Sequence, residues 1–241
     1  MTDDATHVDE VADDVFRLST FVEASGLTFC QYLLRAEQPL LFHTGHRGLF
    51  DQVRDAVETV LPASSLRWVG FGHLEADESG SMNEWLAVAP EAEVLSGFTG
   101  GLVNLMDLAD RPPHLVGDGD VIDLGGLRVR HLDTPHVPHG WDARVLYEEA
   151  TGTLLCGDLF TATGAVAPTT TDDLVEPALA AEDLFGATCL TAATGPTIRR
   201  LADLQPTTLA PMHAPATSTS TVDALRALAD AYDARVAAAA G

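Results

Sequence analysis

The chain reads as a layered α/β protein, and three observations carry that reading. Short apolar runs of strand length, closed by glycine, proline or acidic residues, alternate with stretches of helical periodicity. Histidines and carboxylates gather just past the ends of those runs, the edge at which loops of a layered α/β fold converge on a site. No Gly-x-Gly-x-x-Gly, phosphate loop, long repeat or linker interrupts the 241 residues, so one domain spanning residues 1–241 is expected.

Residues 1–12 read as a polar lead-in. Strands are expected at 15–18, 27–35 and 39–43, and the last runs into the glycine-punctuated corner Thr44-Gly45-His46-Arg47-Gly48. Leu49, Val53, Val57 and Val60 then fall at helical spacing, which predicts an amphipathic helix over 48–61 ended by Pro62. The apolar run 66–71 predicts a buried strand, and 79–88 a helix capped by Ser79 or Ser81.

A strand at 93–96, a helix at 101–108 and strands at 114–116, 121–124 and 127–132 follow, with Gly125-Gly126 marking a hairpin. Strands at 143–148 and 153–156 flank a turn. Residues 161–180 read as a long Thr-rich loop near the site, 178–193 and 195–203 as helices, 207–211 as a last strand and 221–239 as an alanine-rich helix.

Composition narrows the partners. The formal charge is −23, from 36 acidic residues against 13 basic ones, and every basic residue is arginine. Such a surface repels nucleic acid and anionic membrane, so neither is an expected partner. An acidic surface without lysine, over a core of Ala, Val and Leu, reads as halophilic adaptation, because the Debye length falls to about 3 Å at 1 M salt. Cys30, Cys156 and Cys189 are odd in number and form no C-x-x-C, which argues against a disulfide framework or an iron–sulfur cluster. The acidic start and the lack of a long apolar run predict a cytoplasmic protein.

The stretch Gly72-His73-Leu74-Glu75-Ala76-Asp77-Glu78 carries three potential metal ligands at alternate positions. In an extended conformation His73, Glu75 and Asp77 would face one side, and one imidazole with two carboxylates suits iron or manganese, with dinuclear zinc as an alternative. Taken alone, the triplet reads equally well as a solvated acidic loop. His136, Asp158 and His213 also stand at or just past predicted strand ends. Together the six supply what a two-metal site requires, a bridging carboxylate and terminal ligands that leave open positions.

In this order the residues resemble the metallo-β-lactamase superfamily, an αββα sandwich of two mixed sheets flanked by helices. Within it the chain is most similar to the diiron domain of flavodiiron proteins and to oxygen-binding diiron proteins. The resemblance rests on His73-x-Glu75-x-Asp77, on Ser79-Gly80-Ser81, on Thr134-Pro135 ahead of His136-x-Pro138, and on Gly157-Asp158-Leu159-Phe160, and spans about 27–215. It implies two iron ions, with His73, Glu75 and His136 on one, Asp77 and His213 on the other, and Asp158 between them.

Three departures stand out. Glu78 occupies the place where many flavodiiron proteins carry histidine, so the second metal is expected to be completed by water or by Glu78 itself, which is also a candidate catalytic group. The His43-Thr44-Gly45 corner replaces Asp-x-Gly, and its role stays open. His139 stands where the family usually has Asp, as a group near bound dioxygen or a support for a ligand; His43 and His46 are further candidates for such support.

His7, His114 and His131 read as structural or surface groups, Trp85, Trp141 and Tyr147 as core or pocket wall, and Cys156 as a small buried apolar residue.

The resemblance implies binding or reduction of dioxygen or nitric oxide. No flavodoxin-like segment follows His213, so an oxygen sensor or scavenger, or an oxygen reductase fed by a separate redox donor protein, is expected, with a homodimer as the assembly. The alternative is a dinuclear zinc hydrolase of an ester, lactone or thioester. Against it stands Glu75, since an anionic oxygen ligand lowers the Lewis acidity of the metal.

Overall fold

The computed structural model of the chain describes residues 5–239. Its strands form two mixed sheets. The first has the order β1 (His7–Ala12), β2 (Val15–Val22), β3 (Leu27–Leu34), β4 (Leu40–Phe42), β5 (Trp68–Gly70), β6 (Glu93–Gly97), β7 (His114–Val116). Hairpins make its first half antiparallel and helical crossovers make β4 to β7 parallel. The second sheet runs β12 (Thr208–Pro211), β11 (Thr153–Gly157), β10 (Arg144–Glu148), β9 (Arg128–Asp133), β8 (Val121–Asp123), with only the β11–β12 pair parallel.

Alternation along the strands decides which side chains enter which layer. Val15, Cys30, Tyr32, Leu34, Leu40 and Phe42 point between the sheets and meet Leu146, Leu155 and Ala210 of the second. Phe16, Leu18, Leu33 and Leu41 point the other way, against α1 (Phe50–Glu58) and Trp85. On the far side α6 (Val175–Phe185), α7 (Thr194–Ala202) and α8 (Thr221–Ala239) cover the second sheet through Ala178, Ile198, Leu201, Leu225 and Leu228. The result is the αββα arrangement of two sheets with helices on both outer faces.

Several expectations need correction. The lead-in is partly strand: His7–Ala12 pairs with β2, whose partner face an isolated reading of 1–12 could not supply. Its first residues, Met1 to Asp4, lie outside the described residues. The helix expected at 79–88 divides into α2 (Ala76–Ser79) and α3 (Met82–Val88), and neither Ser79 nor Ser81 makes a side-chain cap. The helix expected over 101–108 begins earlier, as α4 (Phe98–Gly100), a π-helical turn Gly101–Leu105 and α5 (Met106–Leu108). The helix expected over 178–193 stops at Phe185, because Gly186 adopts a left-handed conformation (φ 57°) and its N–H caps Glu182.

The C-terminal ends of β5, β11 and β12 open on the same edge of the sandwich, and this sets the position of the site. Among the described residues no helix is long and apolar enough to cross a membrane.

Candidate metal centre

Four side chains converge at that edge. Single ligand atoms of His73, Glu75, His139 and Asp158 all lie within 4.8 Å of one another. His73 Nε2 is 2.6 Å from Glu75 Oε2, and His139 Nε2 is 3.1 Å from the same oxygen and 3.3 Å from Asp158 Oδ2. The other Asp158 oxygen faces a second group: His213 Nε2 is 3.3 Å from Oδ1 and 3.4 Å from Asp77 Oδ2. Asp158 thus presents one oxygen to each of two neighbouring sets of ligand atoms.

Local structure explains how a short stretch delivers three of these groups. Glu75 is extended (φ −135°, ψ 156°), and the chain then coils immediately into α2. Asp77 and Glu78 therefore lie in a first helical turn, where acidic side chains are favoured, and not on a continuing strand as the spacing suggested. The coil sends Asp77 toward His213 and turns Glu78 inward, beneath the loop.

Glu78 is accordingly not among the converging ligand atoms. It is 1% exposed; one oxygen accepts the His73 backbone N–H at 2.5 Å, and the other lies 3.2 Å from His73 Nδ1. His43 Nδ1 lies 3.6 Å away on its far side. Burial works against the Glu78 charge, but His43 and His73 together hold its carboxyl well below the usual range. Glu78 orients His73 from behind, leaving Nε2 for the centre. A Cβ at Gly72 would stand 2.9 Å from both Glu78 oxygens, so glycine is what lets the carboxylate pass under the loop.

The His43-Thr44-Gly45 corner has a structural task. Thr44 donates its N–H (2.5 Å) and hydroxyl (2.9 Å) to the Glu78 carbonyl, while Ser81 N–H donates to the Gly45 carbonyl at 3.0 Å. Trp85, fully buried, donates its indole N–H to the Thr44 carbonyl at 3.0 Å. The corner thereby fastens the segment that carries Asp77 and Glu78 to the helical layer. His46 stands edge-on to Phe29, whose ring also meets His213.

The structure does not bring His136 to the cluster. It is exposed, at φ 64°, and its N–H is taken by the Gly140 carbonyl. His139, three residues on, is the histidine that reaches the cluster, with its ring edge-on to that of His73 and 4.6 Å between centroids. Gly140 (φ 81°) makes the approach feasible, since a Cβ there would lie 3.1 Å from the His73 side chain.

The remaining expectations fall as follows. His131 is buried against Asp133 and His114 lies beside Trp68. Trp85 and Cys156 are buried, Tyr147 is partly buried and Trp141 is exposed. Gly72 and the Thr28 carbonyl that holds His213 were missed, because neither a glycine nor a backbone oxygen carries a ligand signature.

The protonation demand of the cluster fits a cation. His213 Nδ1 donates to the Thr28 carbonyl at 3.0 Å, so in the neutral tautomer the Nε2 lone pair points at two carboxylate oxygens. That arrangement requires a proton or a metal ion on Nε2. His73 is in the same position, with a carboxylate oxygen near each ring nitrogen. Burial alone disfavours its charged form, but the Glu78 charge and the bonds to Glu75 and Glu78 push it up to about 11. His213 is raised well above its ordinary value against the same burial, by Asp158 and Asp77. Glu75 is held well below the usual carboxylate range by hydrogen bonds from His139 and then His73. Among the described residues, Asp77 Oδ1, Asp158 Oδ1 and His139 Nδ1 are buried without a hydrogen-bond partner, a cost that metal coordination would offset for the carboxylates. Three imidazoles and three carboxylates are a ligand set suited to a pair of iron ions.

Fold and site define a metallo-β-lactamase-like metalloprotein. Residues 27–214 match the family model described as ODP family beta lactamase, and the chain belongs to that family. It is 28% identical over 106 residues to flavo-diiron protein FprA2 of Clostridium acetobutylicum, a match over 43% of this chain and 26% of that protein. The fold superposes on the 1–254 fragment of putative diflavin flavoprotein A 5 from Nostoc sp. with a TM-score of 0.81 and 18% identity, covering 100% of both chains. For the rubredoxin oxygen:oxidoreductase of Desulfovibrio gigas the TM-score is 0.79 at 15% identity, covering 95% of this chain and 61% of that one. The chain thus matches only part of the length of its full-length relatives.

Proposed function

We propose that the chain, as one domain over residues 1–241, holds two iron ions and binds or reduces dioxygen or nitric oxide with electrons from a separate donor protein. The observation that carries this reading is Asp158, whose two oxygens face two separate ligand sets within one pocket. His73, Glu75 and His139 would hold one ion, Asp77 and His213 the other, and Asp158 both. When bound, the ferrous pair supplies electrons that a diatomic ligand can accept. The relatives support the reading through the metal in their names, flavo-diiron, and through the oxygen oxidoreductase activity in the name of one of them.

The chain's own residues prepare that centre. Glu78 and the Thr28 carbonyl fix the two buried imidazoles so that each presents Nε2, which lowers the reorganisation needed on metal entry. Leu159 and Phe160, the two residues after Asp158, are both buried in the core between the second sheet and its helices, which anchors the segment that carries the carboxylate. Glu75 and His139 are the more exposed members and border the opening.

Operation in a salt-adapted cytoplasm, as a homodimer, belongs to the same proposal. Metal analysis after expression with iron and zinc both supplied tests it. Close to two irons per chain, with a visible band when the reduced protein meets oxygen or nitric oxide, is expected. Two zincs with hydrolysis of a generic ester would replace it by the hydrolase reading.

A further inference from the structure

The chamber in front of the metal-facing groups exceeds what a diatomic needs. Its volume is about 220 Å³, whereas a water molecule takes up about 30 Å³ of the liquid. Two ions and their bound solvent would fill the end formed by Glu75, Asp77, His139, Asp158 and His213, and the chamber continues beyond them. Its walls are apolar, contributed by Leu27, Pro138, Ala178, Ala181 and Phe185. Apolar walls with a few convergent polar groups are the usual make-up of an organic ligand site.

Besides the metal-facing residues, the chamber has a second polar group, formed by Glu182, Thr188 and Tyr232. Thr188 donates its N–H (3.0 Å) and hydroxyl (2.7 Å) to the same Glu182 oxygen, Oε2, which fixes the carboxylate and leaves Oε1 without a protein hydrogen bond among the described residues. The Tyr232 hydroxyl lies 3.4 Å from that of Thr188. Its phenol is pushed up by burial and keeps its proton, so an acceptor and a donor stand side by side. Leu184 and Phe185 are exposed where α6 ends, and Phe185 lines the chamber as well, extending the apolar surface to the rim.

We propose that this chamber binds a small, neutral, mostly apolar organic molecule carrying one hydroxyl group, of the size and kind of a monophenol. The hydroxyl donates to Glu182 Oε1 and accepts from Tyr232, and the apolar body lies along the α6 wall toward the metal side. Organic anions are disfavoured here by Glu182. Binding of the ligand stands without the diiron reading; that it would share its chamber with dioxygen, and so control access to the metals, rests on that reading.

Calorimetric titration of the metal-loaded full chain with p-cresol and with toluene tests the site. Saturable binding of p-cresol is expected, roughly tenfold or more tighter than toluene, since the difference is a hydrogen bond to a charged group. Glu182→Gln should weaken p-cresol by about tenfold and leave toluene unchanged. Phe185→Ala, at an exposed rim position, should weaken both. Absence of saturable p-cresol binding, equal affinity for toluene, or a Glu182→Gln protein that binds p-cresol as before would overturn the proposal. Metal analysis of the same samples reads the diiron reading separately: protein without iron that still binds p-cresol refutes that reading and keeps this one.

Discussion

Replacing His139 and His136 separately distinguishes two histidines that the chain places only three residues apart. His139 Nε2 lies 3.1 Å from Glu75 Oε2 and 3.3 Å from Asp158 Oδ2, whereas the His136 side chain is exposed. A four-ligand protein metal site is worth about 10–16 kcal/mol at neutral pH, or about 2.5–4 kcal/mol per ligand, so His139→Ala should weaken the ion on that side by roughly 10²–10³-fold. His136→Ala removes an exposed side chain and should change stability by less than about 0.5 kcal/mol and metal binding not at all. Competition against a chelator of known affinity, with metal content read by elemental analysis, gives both numbers. Loss of metal from His136→Ala with retention by His139→Ala would refute the assignment drawn from the geometry.

Further outcomes follow from the same contacts. Glu78→Gln removes the charge behind His73 and should cost about 10–100-fold in metal affinity, about 1.4–2.8 kcal/mol; chelator competition checks it, and unchanged affinity would assign Glu78 no part in orienting the ligand. In metal-free protein the raised His73 contributes stability that is complete below its unfolded value of 6.5 and is lost as pH rises toward about 11, while the depressed Glu75 contributes stability present above 4.5 and lost on acidification. Thermal unfolding of the metal-free chain should therefore weaken between pH 7 and pH 10, and iron-loaded chain, whose imidazoles hold metal in place of protons, should not; parallel curves for the two forms would contradict this. Gly72→Ala should lower metal affinity, because its Cβ would stand 2.9 Å from the Glu78 oxygens, and a variant with full affinity would show that Glu78 has room to shift. With a net charge of −23, raising NaCl from 0.1 to 1 M shortens the Debye length from about 10 to about 3 Å and should raise the unfolding temperature; a flat response would remove the argument for salt adaptation.

The sandwich and most of its strands were readable because alternation and helical spacing are local properties. β1 was not, since His7–Ala12 becomes a strand only through its pairing with β2. Within the site, His73, Glu75, Asp158 and His213 were legible as ligand types at strand ends, and the structure brings them together. Asp77 comes within 3.4 Å of His213 Nε2, but a helical turn and not the extended chain implied by the spacing places it there. His136 and His139 flank the same Val-Pro pair, and no local signal says which faces inward. Backbone conformation decides it: His136 takes a left-handed φ and Gly140 permits the close approach to His73. The place of Glu78 is hidden from the sequence for a related reason, since its carboxylate lies against the His73 backbone and ring, contacts that exist only once the loop has folded over it.

On the proposed reading one carboxylate, Asp158, serves two iron ions. A crystal structure of protein reconstituted with iron in the presence of zinc, with anomalous data on both sides of the iron edge, tests it directly. The expected result is two iron peaks about 3.5–4 Å apart, one beside each Asp158 oxygen, with His139 and not His136 against one of them. A single peak, zinc in both positions, or iron held away from Asp158 would contradict it.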